Sequence, residues 1–313
     1  MDSNFTKNTF FYKLLKLDSF SEILSLKQLI QGELLNVIDL YQQHFKVNIR
    51  QQIALELADK IVLSNSQNSF QGLVYSCAIA FPIANLTGLS PLLVAHQLVS
   101  LLPSLRKKET SDTSLEIAVT VAKSGWLEFK VCDRFMLFWL EGLVAAIKSD
   151  RELLPFSRKE SENFQRLFPL QYICIRCTSL LRLGAREGLI SLSENLEDLK
   201  WQIKQPMVIN WRNSQGDLCL VSSQERDLLR QICLMLDYIA ANQKYNLKHW
   251  LQFTDKMSAV WLRFVAKCAF CGEIKQQNLT LATARLGLIA LTYWCLQTIL
   301  SRFDLITPKD IEL

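Results

Sequence analysis

Glycine and histidine are scarce in this chain, with ten and three among 313 residues. That shortage excludes much chemistry. There is no Gly-x-Gly-x-x-Gly and no Walker A loop, so a phosphate cradle built from backbone N–H groups has no basis in the sequence. His44, His96 and His249 form neither a His-x-Gly-His nor a His-Glu-x-x-His pattern, and no Gly-x-Ser-x-Gly elbow occurs. Carboxylates such as Glu128 and Asp133 stand singly among other charges, where solvated surface is their default role. Nothing in these patterns supports catalysis, and no cofactor is expected.

Charge of one sign is also modest. The net charge is +5, and residues 1–60 are balanced, with seven acidic and seven basic side chains. Residues 201–313 carry thirteen Lys or Arg against nine Asp or Glu, so most of the excess lies in the last third. This fits a weak attraction to nucleic acid without demanding one. Half of the residues are hydrophobic, which reads as globular, and the length allows two domains with a core each. Nine cysteines in a long chain whose opening, MDSNFTKNTFFYKLLK, lacks a secretory apolar block imply free thiols and a cytoplasmic location.

No Asp, Glu, Lys or Arg occurs between Lys60 and Arg106, which calls for a membrane test. The run fails it. Asn65, Gln67, Asn68, Gln71, Asn85 and His96 are scattered through it, and Pro82 and Pro91 interrupt it. The uncharged run 286–301 is shorter and bracketed by Arg285 and Arg302, so a buried core helix is expected there and no membrane partner.

Apolar residues at spacings of three and four predict helix over 11–64, then near 70–86 and 91–104, with Gly88 as a stop and Ser90 as an N-cap before Pro91. LEIAVTVA (115–122) and WLEFKV (126–131) read as a strand pair turning at Gly125. Helix resumes at FMLFWLEGLVAAIK. The charged stretch 148–165 is the linker candidate. Beyond it, helices are predicted over 167–185, 224–243, 246–270 and 278–303, with an irregular section over 187–222 that could hold a small hairpin around the polar turn 212–217. The expected class is mainly α. A small N-terminal α+β domain with a short antiparallel sheet (1–147) precedes the linker and an all-α helical bundle (166–313).

Two Cys-x-x-Cys pairs occur, Cys174/Cys177 and Cys268/Cys271. Four thiolates in such pairs could build a zinc site. Each pair lies in an apolar or amphipathic helical run, however, and they are about ninety residues apart. Buried structural thiols are the expectation, with no metal.

One resemblance adds to these readings. ATARLGLIALTYWCLQTILSRFDLITPKDI (282–311) resembles the terminal helix of the arginyl-tRNA synthetase anticodon-binding (DALR) domain. YICIRCTSLLR (172–182) is similar to the helix that opens that domain, ERDLLRQI (225–232) to its next helix, and WLRFV (261–265) to a later one. YSCAIAFPIANLTGLSPLLVAHQLVSLLP and AKSGWLEFKVCDRF resemble the helices and strand of the same enzyme's N-terminal accessory domain. The family's histidine in the opening helix is Cys174 here, and its asparagine is Leu262.

The nucleotide-binding catalytic domain that would lie between the two halves is missing, with only 148–165 in its place. Lys256-Met257-Ser258 spells the start of the loop with which class I synthetases grip ATP, but it falls within a helical run of the anticodon-binding-like half. The resemblance therefore implies a non-catalytic tRNA-binding protein, with Tyr172, Arg176, Arg182, Arg263 and Arg285 as candidate RNA contacts. The competing reading is a protein-interaction module on the same fold. A third, arginine–tRNA ligase activity with ATP, would need a separate catalytic chain.

Overall fold

The computed structural model describes residues 25–49, 61–63, 73–106, 117–147, 167–192, 203–205, 209–241 and 247–301. It is mainly helical, with a small antiparallel sheet in the N-terminal half and mostly helices beyond it. Two compact units divide between Phe135 and Met136, and the stretch expected as a linker, 148–165, lies outside the described residues.

In the first unit, α1 (Leu26–Phe45) opens with a capping box. Ser25 Oγ accepts from the Gln28 backbone N–H at 3.1 Å, and Gln28 Oε1 accepts from the Ser25 N–H at 3.2 Å, so two orphan donors are satisfied reciprocally. Leu26, Leu29, Ile30, Leu34, Val37, Ile38 and Tyr41 form its buried stripe at helical spacing. The Tyr41 hydroxyl donates at 3.0 Å to Gln97 Oε1 on the helix Pro91–Arg106, tying the two helices.

Strands β1 (Ile61–Leu63), β2 (Leu73–Cys77), β3 (Ile117–Val121) and β4 (Leu127–Val131) pair antiparallel in the order β1-β2-β4-β3. Partners Leu73 and Val131, Tyr75 and Phe129, and Cys77 and Leu127 lie opposite one another and are all buried, which makes one face of the central pair the core face. The strand pair turning at Gly125 is present. Gly125 has φ +93°, and a Cβ there would sit 2.9 Å from the Pro91 carbonyl carbon, so both conformation and close approach require glycine.

Helix was expected near 70–86 and up to 64, but 73–77 and 61–63 are strands, and helix α2 (Ala80–Thr87) starts only afterwards. LVYSCAIAF is apolar but for Ser76, and periodicity alone does not separate a buried strand from a buried helix in such a run. Pairing with β4, more than fifty residues away, decides it. Gly88 ends α2 in a left-handed conformation, and Ser90 Oγ accepts from the Leu93 N–H at 3.3 Å to cap α3 (Pro91–Arg106). The axis bends by 112° between α2 and α3.

Helix α4 (Asp133–Ile147) runs into the second unit. There α5 (Phe168–Arg186) is followed by the short pair β5 (Ser191–Leu192) and β6 (Ile203–Gln205), then α6 (Ser223–Ala241), α7 (Leu247–Lys267), α8 (Glu273–Gln277) and α9 (Leu279–Ser301). Of the small hairpin expected around the polar turn 212–217, the described residues show one bridge, Arg212 with Leu218, reinforced by Cys219 N–H donating to the Trp211 carbonyl at 2.9 Å.

Helix α9 is apolar all round and is the centre of this unit. It packs against α5 and α6, while α7 packs against both of those. By length and composition α9 could cross a membrane, yet most of its apolar stretch is buried within the protein, as a core helix requires. Two glycines set its spacing. A Cβ on Gly184 of α5 would meet both Leu286 methyls of α9 at 2.8 Å, and one on Gly287 of α9 would meet the Trp211 ring at 2.5 Å.

Gly287→Ala is therefore expected to destabilise the fold by about 1–3 kcal/mol through overpacking against a rigid, fully buried indole. Gly142→Ala, mid-helix in α4 with nothing within 4 Å of the added methyl, is expected to stabilise by about 0.5–1 kcal/mol. Urea denaturation of both variants checks the contrast, and equal effects would contradict the packing described.

Candidate functional site

Helix α5 separates an inner and an outer face by spacing. Leu170, Ile173, Cys174, Cys177, Leu181 and Gly184 are buried. Phe168, Tyr172 and Arg176, at steps of four, form an outward row on which the two aromatic rings are 55% and 40% exposed. Pro169 in the first turn costs no hydrogen bond there and starts the helix immediately behind Phe168. Arg182, lower on the same helix, is half-buried and already has an interaction partner.

The other two expected contacts lie elsewhere. Arg263 is exposed on α7 and pairs loosely with Asp227 of α6 at 3.7 Å. Arg285 is not at the surface. It is only 9% exposed, and its Nε donates to Glu225 Oε1 at 2.7 Å while its Nη1 donates to the Ala269 carbonyl. Glu225 Oε2 accepts from the Ser222 N–H at 2.9 Å, and Ser222 Oγ accepts from the Glu225 N–H at 3.2 Å, which is the capping box of α6. Ser222 Oγ also lies 3.6 Å from Cys268 Sγ. This arginine is a structural cation, correcting its expected place among the RNA contacts. Sequence spacing could not reveal it, because α9 has no polar face to mark which way Arg285 points.

Phe168 was not among the expected contacts. The available signal was its position four residues before Tyr172, which puts a second ring on the same face. Leu262, which stands where the family that the chain resembles has asparagine, is 62% exposed. The Lys-Met-Ser triplet is interior to α7: Lys256 is exposed, Met257 is buried, and Ser258 Oγ donates to the Thr254 carbonyl at 2.8 Å.

The cysteine pairs differ in setting. Cys174 and Cys177 sit inside α5, and both are buried. Cys268 and Cys271 were expected within a helix but follow the end of α7, in a turn completed by Gly272 at φ +68°. Burial pushes the Cys174 thiol up to about 12 and Cys77 to about 11, the latter despite opposing help from a backbone hydrogen bond and Lys27. Cys177 and Cys233 are raised by burial as well. Thiols held protonated are poor nucleophiles and poor metal ligands. Among the described residues, no group of three or more His, Cys, Asp or Glu is arranged to hold a metal ion.

Two outcomes follow. Arg285→Ala strands a buried carboxylate and is expected to cost about 3–5 kcal/mol in urea unfolding, with part of the loss recovered when Glu225→Leu is added. The raised thiols make stability pH-dependent. Their contribution is complete below the ordinary thiol value of 9.0, where the unfolded chain is also protonated. It declines as pH rises from there toward about 12, because the unfolded state ionises first. Urea midpoints measured across that range should fall, and substituting Ala for the half-buried Cys271 should not remove the fall. No family model matches this chain, nor does any curated protein or solved structure, and the functional argument rests on the geometry above.

Proposed function

We propose that this protein is a non-catalytic, cytoplasmic RNA-binding protein whose ligand is tRNA or a similar RNA with unpaired bases. The outward row Phe168, Tyr172 and Arg176 on α5 carries the reading. Large rings are normally buried, since covering each contributes strongly to folding. Two that stand exposed one turn apart, with a guanidinium one turn further, are a platform of the kind on which unpaired bases stack while a phosphate is held. The excess of basic residues over 201–313 supplies a favourable long-range field. The resemblance of 172–182 to the opening helix of an anticodon-binding domain agrees with the same row.

A second reading, a protein-interaction module, draws on the first unit. Leu86, Leu89, Leu92, Leu93 and Trp126 are all exposed there, within or beside a run without charged residues. Exposed apolar groups concentrated in this way suit a protein partner better than a polyanion.

The two readings part in a binding experiment. Fluorescence anisotropy at low salt is expected to show tRNA binding by the wild type, weakened by about 1–3 kcal/mol in Tyr172→Ala and in Phe168→Ala. If the wild type binds tRNA no better than a neutral control protein, the RNA reading fails.

A further inference from the structure

Helix α7 carries four Lys or Arg against one Asp, a net of +3 in a chain whose total is +5. The charge is not spread around the helix. Lys256, Arg263 and Lys267 are all exposed, and steps of seven and four residues bring them within an arc of roughly 40°. Along the axis they stand about 10.5 and 6 Å apart. The exposed His249 continues the same line. Asp255, the lone acid, is turned about 100° away from Lys256. Ala259 and Ala266 are exposed beside the row, leaving a shallow strip with no bulky side chain.

The row cannot roll out of place. Phe253, Met257, Val260, Trp261 and Phe264 form the buried stripe of α7 that runs alongside the row, with Val260 about 20–60° from it around the helix. Lys256 and Lys267 have no hydrogen-bond or ion-pair partner among the described residues. Arg263 has only the 3.7 Å pairing with Asp227, and its side chain remains 55% exposed. Exposed pairs of this kind are worth about 0–1 kcal/mol, so a phosphate can replace the carboxylate. Lys267 stands in the last helical turn, where a cation also faces the negative end of the helix. Lys256, in mid-helix, has no such reason to be there.

We infer that this row is a phosphate track for the backbone of single-stranded RNA, read without regard to sequence. The inference rests on the RNA-binding reading and deepens it by naming a second contact surface and the form of the ligand. A single line of cations suits one sugar–phosphate strand, whereas a duplex presents two. An acidic protein partner is the poorer fit, because protein interfaces centre on apolar residues and are depleted in lysine. The row itself has no apolar anchor, and exposed Leu262 lies about 100° or more from it.

The test is the salt dependence of binding to fluorescent oligouridylate, from roughly 50 to 200 mM salt. Each phosphate contact on a single strand contributes about 0.7 to the slope of log affinity against log salt. The triple variant Lys256→Gln, Arg263→Gln, Lys267→Gln should therefore flatten the slope by about 2. The control triple variant Lys123→Gln, Lys130→Gln, Arg134→Gln removes the same net charge from exposed positions in the first unit and should leave the slope unchanged. If both triples flatten it equally, the effect is diffuse charge and the track is overturned. If the α7 triple keeps the wild-type slope while Tyr172→Ala still weakens binding, the track is overturned and the RNA reading stands. If the wild type binds neither oligouridylate nor tRNA, both are overturned together.

Discussion

The second unit depends on one buried ion pair. Arg285 and Glu225 meet at 2.7 Å, and each uses its remaining capacity on backbone: Glu225 on the Ser222 N–H, Arg285 on the Ala269 carbonyl. The start of α6, the segment leaving α7 and the body of α9 are thus fixed to one another by charge-assisted hydrogen bonds. Apolar packing alone would not achieve this. Helix α9 is apolar on every side, so burial rewards it almost equally at any rotation. The ion pair gives the helix a direction, and Gly287 confirms it, because only one rotation puts its bare Cα against the Trp211 ring. Burying two charges is costly, and the pair contributes definition of the fold more than net stability.

That definition reaches the outward face of α5. Gly184 lets α5 lie against Leu286, the neighbour of Arg285, so the helix bearing Phe168, Tyr172 and Arg176 is seated on the helix that the ion pair orients. Lys275 ties the far end of α5 to α8 by donating to the Glu187 carbonyl at 2.6 Å and to its carboxylate at 3.0 Å. A stacking surface works when its rings are held before the ligand arrives, since less freedom is then lost on binding. The exposed rings are placed on one of the better-anchored helices of the unit.

Local signals in the sequence were sufficient wherever a local interaction decides the structure. Gly88, Ser90 and Pro91 predict the break between α2 and α3, and Gly125 predicts the β3–β4 turn, because caps and tight turns are settled within a few residues. The helices of the C-terminal half follow from spacing for the same reason. Strand β2 was not legible, because its alternation of Leu73, Tyr75 and Cys77 sits in a run that is apolar but for Ser76, and its partner strand is distant in sequence. Arg285 was misplaced for a related cause: a cation in an apolar helix reads as surface until the acid that accompanies it is found sixty positions away. The signature of that acid was nonetheless present, since Ser222-x-x-Glu225 before an apolar run is a capping box.

The contrast between Arg285 and the α7 row shows how the same residue type divides its work. An arginine whose Nε and Nη1 are aimed at a carboxylate and a backbone carbonyl in a dry site is committed, and withdrawing it leaves a stranded charge. Arg263, loosely paired and more than half exposed, retains donors that water now occupies and a polyanion could take. Charge counting weighs the two equally, which is why a net of +5 is a poor guide to this surface. With Arg285 neutralised inside by Glu225, the field outside the second unit is set by cations such as Lys256, Arg263, Lys267 and Arg176. Those on α7 share one line because the stripe beside them, with Met257, Val260 and Phe264 among others, is required by the core. The packing of the bundle thereby decides where its charge is displayed.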